Sequence, residues 1–369
     1  MYDSSKINYP LWDVRGYSEI ENFNIRNAGI DWMNCHLRDD LMQQNVLNTH
    51  NDIMASQPCV VFLNGLYWGV YQIREKQDQD YLKAIHGIDP ANVDILKWDN
   101  SVERGDGTDW TNLYSFILSS DMTQANSYDS LTKLVDIENY ADYFASETYY
   151  VNNDWLGDWT NNIKFWKEKK QGRKWRYIMW DTDFGLGLSS SPDYDKLYAL
   201  RYPNSWNWHS VMFDTIITNS NFRKYFVNRY ADLINTVFLP SHLKTTLKEF
   251  VDTMDDEMLR SYKRWTAQTD LTNWQNNLTN MRNFIDARPT YARNFIQSNF
   301  NLAGQVTLTL NVQPAGAGKI HISTITPTKY PWNGVYLMGC LLSLRPLPTL
   351  VTHSVIMLLG LLQTAVCLC

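Results

Sequence analysis

The chain has 369 residues, 44% hydrophobic and 20% charged, with 15 Trp, 22 Tyr and 14 Phe; so much large apolar surface excludes a disordered, solvated chain. A net charge of −6 lacks the basic excess needed to neutralise a row of phosphates, which argues against nucleic acid as the main partner. The cysteines Cys35, Cys59, Cys340, Cys367 and Cys369 form no C-x-x-C pair and stand beside no His at ligand spacing, so neither a disulfide scaffold nor a zinc site is indicated.

Residues 1–30 hold no apolar run of signal-peptide character, and Met1 reads as an internal start. Residues 1–300 read as one unit of mixed helix and strand, without repeats. Two apolar runs, Cys59–Leu63 and Tyr67–Ile73, flank Asn64-Gly65 and predict a β-hairpin. Ile137, Tyr140, Ala141, Phe144, Ala145 and Thr148 lie on one stripe and predict a helix over Ile137–Tyr150. A second hairpin is expected from Ile163–Trp166 and Trp175–Trp180 across the basic turn Lys167–Lys174. From Phe213 to Phe300 the period is helical, with Phe222, Phe226, Tyr230, Leu233 and Val237 on one face.

Gln305–Val312 and Lys319–Thr326 alternate apolar and polar residues around a Pro-Ala-Gly-Ala-Gly turn, which predicts a hairpin opening a small β domain. Beyond it the composition breaks: from Leu337 to Cys369 the one charged residue is Arg345. The reading preferred for this tail is a frameshift near Tyr336, over a membrane anchor in the apolar 351–369 stretch. The expected organisation is therefore 1–300, a β-rich beginning at 304–336, and a non-native tail at 337–369.

Two acidic clusters bracket the second hairpin: Asn152-Asn153-Asp154-Trp155, ending in Asn161-Asn162, and Asp181-Thr182-Asp183-Phe184-Gly185. Asp and Asn on a loop after a helix, followed by two strands and an Asp-rich turn, can hold a divalent cation through hard oxygen donors. Phosphoryl transfer needs such a site because its catalysis is mostly positioning and charge neutralisation. Asp183-Phe184-Gly185 matches the metal-binding triplet of protein kinases.

Taken in order, further residues carry a resemblance. They are Arg26-Asn27-x-Gly29-x-Asp31-Trp32, Arg38-Asp39, the run from Val61 through Asn64-Gly65 to Glu75, Asn153-Asp154-Trp155, Asn161-Asn162-x-Lys164, Trp175 to Gly185, Phe222-Arg223, Glu257-Met258 and Arg264-Trp265. Over residues 9–300 the chain resembles the CotH-type spore-coat kinase family of atypical bacterial protein kinases. The resemblance implies an α+β, protein-kinase-like fold with an incomplete N-lobe and a helical C-lobe, before a truncated small β domain. It also implies ATP with Mg2+ or Mn2+, a protein acceptor bearing Ser or Thr, and an extracellular or bacterial cell-surface setting. Asp154 is the implied acceptor-positioning catalytic residue; Asn161, Asn162, Asp181 and Asp183 are the implied metal ligands; and Glu75, Asn162 and Asp183 are placed on the nucleotide. Family members begin further upstream, so a truncated N-lobe is expected to bind ATP poorly.

Plainer readings stand beside these. An Arg between Asp181 and Asp183 would relieve their repulsion as a cation does. Asp154 could cap the preceding helix, with Asp158 competing for its role, and Glu75 could be solvated. Arg26, Asp31, Arg38 and Asp39 read equally as the orienting residues of a helix or as a surface ion-pair network. Trp155, Trp159, Trp166, Trp175 and Trp180 read mainly as core and otherwise as a sugar-stacking platform. That platform motivates the rival function, an inactive pseudokinase or carbohydrate-associated module in contact with glycans. A two-carboxylate glycosidase is a more distant third.

Overall fold

A computed structural model of the chain describes residues 6–157, 160–266, 270–348 and 358–359. The fold is mixed α+β. At the Asn64-Gly65 turn both residues adopt positive φ, 51° and 79°, as a two-residue hairpin loop twisted with its strands requires. The hairpin strands run over Ser56–Leu63 and Leu66–Glu75. Leu66–Glu75 is central in an antiparallel sheet, with the strand Phe23–Arg26 on its other side. The helix Arg38–Asn45 packs against this sheet and against the long helix Pro240–Trp265.

The second predicted hairpin forms from Lys164–Glu168 and Arg176–Ile178 and extends into a four-stranded sheet through Val93–Lys97 and Ser101–Arg104. Behind it lies the helix Ile137–Tyr150, matching the predicted bounds. Asp136 caps its start by accepting from the Asn139 N–H at 3.1 Å. Every residue from Asn139 to Tyr150 is buried, so the helix is the axle of the core. Tyr140, Tyr143 and Phe144 pack with Trp155, Tyr177 and Phe213. Downstream, the expected helical region consists of Trp208–Ile216, Ser220–Ile234, Pro240–Trp265 and Thr272–Asn299. Trp155, Trp166 and Trp175 are core residues; Trp159 lies outside the described residues.

The β region departs from expectation. Strands form at Gly304–Leu310 and Gly318–Ile322, but they do not pair with each other. Gly304–Leu310 pairs with Trp332–Met338, and Gly318–Ile322 with Leu344–Pro348. Turn chemistry signals a reversal of the chain and does not choose the partner strand. That choice follows docking on the helix Ser220–Ile234. There the Asp232 carboxylate accepts from the Tyr336 hydroxyl (2.6 Å) and the Thr324 N–H (2.9 Å), and Asn235 bonds the Val335 carbonyl. Tyr336 is thus fully buried in a strand that continues to Met338. The frameshift reading covers residues 337–369: of these, 337–348 are described and include the end of the strand Trp332–Met338 and the strand Leu344–Pro348, whereas the rest, with the anchor stretch 351–369, lies outside the described residues apart from a two-residue strand at Leu358–Leu359. Among the described residues no helix is long and apolar enough to cross a membrane.

Candidate functional site

The buried helix Ile137–Tyr150 ends in a left-handed Val151 (φ 56°). A β-branched residue is rarely held there, and strain of this kind collects where surrounding structure fixes a loop for use. Val151 turns the chain into the loop of the first acidic cluster. Asn162 (φ 48°), Asp181 (φ 55°) and Leu186 (φ 47°) share the conformation. Four non-glycine residues with positive φ therefore surround one place.

At that place the two clusters meet. Asn161 and Asn162 lie seven and eight positions after Asp154, yet their Nδ2 atoms donate to its two carboxylate oxygens at 2.9 and 3.0 Å. Asn162 Nδ2 also donates to the Asp181 carbonyl at 3.0 Å. The loop thus closes on Asp154 and is tied directly to the acidic turn; Asp158 lies outside the described residues. Asp154 is not the cap of the preceding helix, because that end is closed by the Val151 N–H on the Glu147 carbonyl.

Asp181 and Asp183 converge, although not through an extended backbone, since Asp181 is left-handed. One nitrogen of Arg26, Nη2, donates to Asp181 Oδ1 at 2.5 Å and to Asp183 Oδ2 at 2.8 Å. Burial and the nearby charges of Asp181 and Asp39 push the Asp183 carboxyl up to about 8. Burial disfavours the Arg26 charge, but Asp39, Asp181 and Asp183 outweigh it and hold the guanidinium above its ordinary pKa.

The second layer of this site was not legible as such in sequence. Asp39 accepts from both the N–H and the hydroxyl of Thr182, at 2.9 and 2.8 Å, and so fastens the acidic turn to the helix Arg38–Asn45. Arg74 pairs with Asp39 at 2.7 Å and with Asp40 at 2.5 Å. Burial works against the Asp39 charge, yet Arg74 and Arg26 hold its carboxyl down at about 2. Asp31 and Arg38 form a further pair with both side chains 1% exposed. The surface-network reading of Asp31, Arg38 and Asp39 is corrected: all three are buried, and of them Asp39 lines, together with Arg26, the cleft beside the acidic turn.

A cleft of about 220 Å3 opens beside the turn, bordered by Arg26, Glu75, Lys97, Glu103, Lys164, Trp180 and Asp181. Glu103 holds Lys97 and Lys164 at 2.6 and 2.9 Å, with Lys97 4.8 Å from the Trp180 ring centre. Burial lowers the Lys164 pKa against the pull of Glu103. Glu75 is buried, not solvated, and its carboxylate is engaged by Arg15, Tyr17 and the Ala55 N–H.

Among the described residues no three His, Cys, Asp or Glu side chains form a metal-holding group. What converges is a carboxylate pair next to the Asn162 amide. That set fits Mg2+ or Mn2+ held by one or two carboxylates, with the remaining positions left to water and substrate phosphate.

A sequence comparison decides the lineage. The family model described as CotH kinase protein matches residues 4–292. The chain belongs to the CotH kinase family. No curated protein matches it. In this CotH kinase family member the matched region contains both acidic clusters and the whole Asp39–Arg74 network, while the strands from Gly304 onward follow it.

Glu147, one turn before the loop, was also missed. It is fully buried, accepts from Asn152 Nδ2 at 3.0 Å, and is pushed by burial from 4.5 up to about 8. The folded chain keeps a proton that the unfolded chain releases, so this group's contribution to stability falls as pH rises from about 4.5 and levels above about 8. Glu147→Gln carries no such proton. Its stability relative to wild type is expected to grow by at least about 1.4 kcal/mol, the worth of one pKa unit, between about pH 5 and pH 8. Urea denaturation across pH checks this; parallel pH curves for the two proteins would contradict it.

Proposed function

We propose that the chain is a metal- and ATP-dependent protein kinase of the CotH type, moving the γ-phosphoryl of ATP onto Ser or Thr hydroxyls of secreted or surface proteins. The observation that carries this reading is the Asn162 amide, bonded at 3.0 Å to both the Asp154 carboxylate and the Asp181 carbonyl. It sets the residue suited to the acceptor beside the residues suited to the cation. In this reading the sheet around Leu66–Glu75 and the helix Arg38–Asn45 stand for the N-lobe, and the helices after Trp208 for the C-lobe.

Asp154, oriented by two amides, positions the acceptor hydroxyl and takes its proton as transfer proceeds. Asp181 and Asp183, with Asn162 and the adjacent Asn161, hold Mg2+ or Mn2+. The bound cation neutralises charge on the phosphoryl oxygens. Lys97 and Lys164 place positive charge on the facing wall of the cleft, and Glu75 closes its inner edge on the nucleotide side.

Two observations favour a second reading. Arg26 already satisfies the acid pair, as in an inactive pseudokinase, and Tyr198, Tyr202 and Trp206 are exposed at 56%, 51% and 65%, as glycan-stacking residues would be. Incubation with [γ-32P]ATP, Mg2+ or Mn2+, and casein separates the two. The kinase reading expects label on Ser or Thr of the acceptor or of the chain itself. Absence of label with either metal, together with retention on polysaccharide and no nucleotide effect on the melting temperature, favours the second.

A further inference from the structure

We infer that Arg26 is the resident counter-ion of the acid pair, occupying the position a divalent cation takes and leaving it when that cation binds. The inference rests on the metal-dependent reading above. A single nitrogen, Nη2, reaches both carboxylates, at 2.5 and 2.8 Å, so guanidinium and metal compete for one point rather than sharing a cavity. Like charges at such separation exclude each other. Among the described residues no other cation forms a salt bridge with Asp181 or Asp183, and without Arg26 the pair demands another positive charge.

The local backbone is shaped around this contact. Gly29 has φ +59°, and a Cβ placed there would lie 2.2 Å from Arg26 Nη2 and 2.5 Å from Asp183 Oδ2. The turn after the strand Phe23–Arg26 therefore closes over the ion pair only because residue 29 has no side chain. Departure of Arg26 is also tolerated by what lies beneath. Asp39, 3.8 Å from Arg26 Nη1, keeps Arg74 at 2.7 Å together with Gln43 and Thr182. At 27% side-chain exposure, Arg26 borders the cleft and can leave into it. Arg26 thus sets a threshold: the site accepts a cation only where the cation, with the phosphates it brings, outcompetes an internal guanidinium.

The test is Mn2+ binding to the nucleotide-free chain, followed by the electron paramagnetic resonance signal of free Mn2+. Arg26→Gln is expected to bind at least about tenfold more tightly than wild type, because nothing then has to leave. Arg26→Lys, which keeps the charge, is expected to stay close to wild type. Should Arg26→Gln fail to fold, Arg26→Met, which keeps an apolar stem of similar length and removes the charge, carries the same expectation of tighter binding. Equal affinity in Arg26→Gln and wild type, with Mn2+·ATP still bound by both, overturns the counter-ion role and leaves the kinase reading standing. Absence of Mn2+ binding by every variant, with and without ATP, overturns both.

Discussion

Asp181→Asn is expected to lose phosphoryl transfer by at least about 100-fold while the fold stays intact. A metal ion at a transferring phosphoryl group contributes several kcal/mol of transition-state stabilisation, and about 3 kcal/mol is already about 100-fold in rate. The same loss is expected for Asp183→Asn, and the double variant should be little worse than either, because the two carboxylates act as a unit. Stability should move the other way. Burial, with the charges of Asp181 and Asp39, holds Asp183 up at about 8, so removing the Asp181 charge relieves a repulsion in the folded state. The check is label transfer from [γ-32P]ATP alongside urea denaturation of the same preparations. Transfer within a few-fold of wild type would remove the acid pair from the chemistry; a large fall in stability would make it structural.

Arg74→Met is expected to destabilise the chain by about 3–5 kcal/mol, the cost of breaking a buried ion pair by removing one partner. Arg74 faces two acids, Asp39 and Asp40, whose side chains are 2% and 0% exposed. With Arg74 gone, Asp39 keeps among the described residues one salt-bridge partner, the more distant Arg26 at 3.8 Å, besides its hydrogen bonds from Gln43 and Thr182, and Asp40 keeps no salt-bridge partner. The damage also reaches the site. Asp39 is the anchor of Thr182, so the acidic turn should loosen, and label transfer should fall even below the denaturation midpoint. A loss under about 1 kcal/mol by urea titration would show that the acids find other partners or bind protons cheaply.

Features fixed by short-range chemistry could be read before any coordinates. The Asn64-Gly65 hairpin, the helix Ile137–Tyr150 and the strand pair around Lys167–Lys174 all rest on turn residues or periodicity within a few positions. The candidate residues Asp154, Asn161, Asn162, Asp181 and Asp183 were also visible, because a phosphoryl-transfer site needs hard oxygen donors on loops. Their assembly was not. Arg26 contacts Asp183 across 157 positions and Arg74 contacts Asp39 across 35, and no local pattern says that a charged residue points inward. The Arg38-Asp39 pair looked like surface charge for that reason. The same limit explains the β region, where Gly304–Leu310 and Gly318–Ile322 could be recognised as strands but not given partners. Pairing there goes with contacts to Asp232 and Asn235, at the end of a helix, across 104 and 100 positions. The left-handed Asn162 and Asp181 were partly legible, since Asn and Asp tolerate that conformation, whereas nothing local marks Val151.

In the proposed function the Asp154 loop and the Asp181–Asp183 turn grip one cation together with ATP. Calorimetric titration of Mn2+·ATP decides this, with wild type compared against Asp181→Asn on one loop and Asn162→Gly on the other; Gly keeps the positive φ and removes the amide. Saturable binding by wild type, weakened at least about tenfold by each substitution, is the expected result. Binding by wild type that neither substitution diminishes would contradict it.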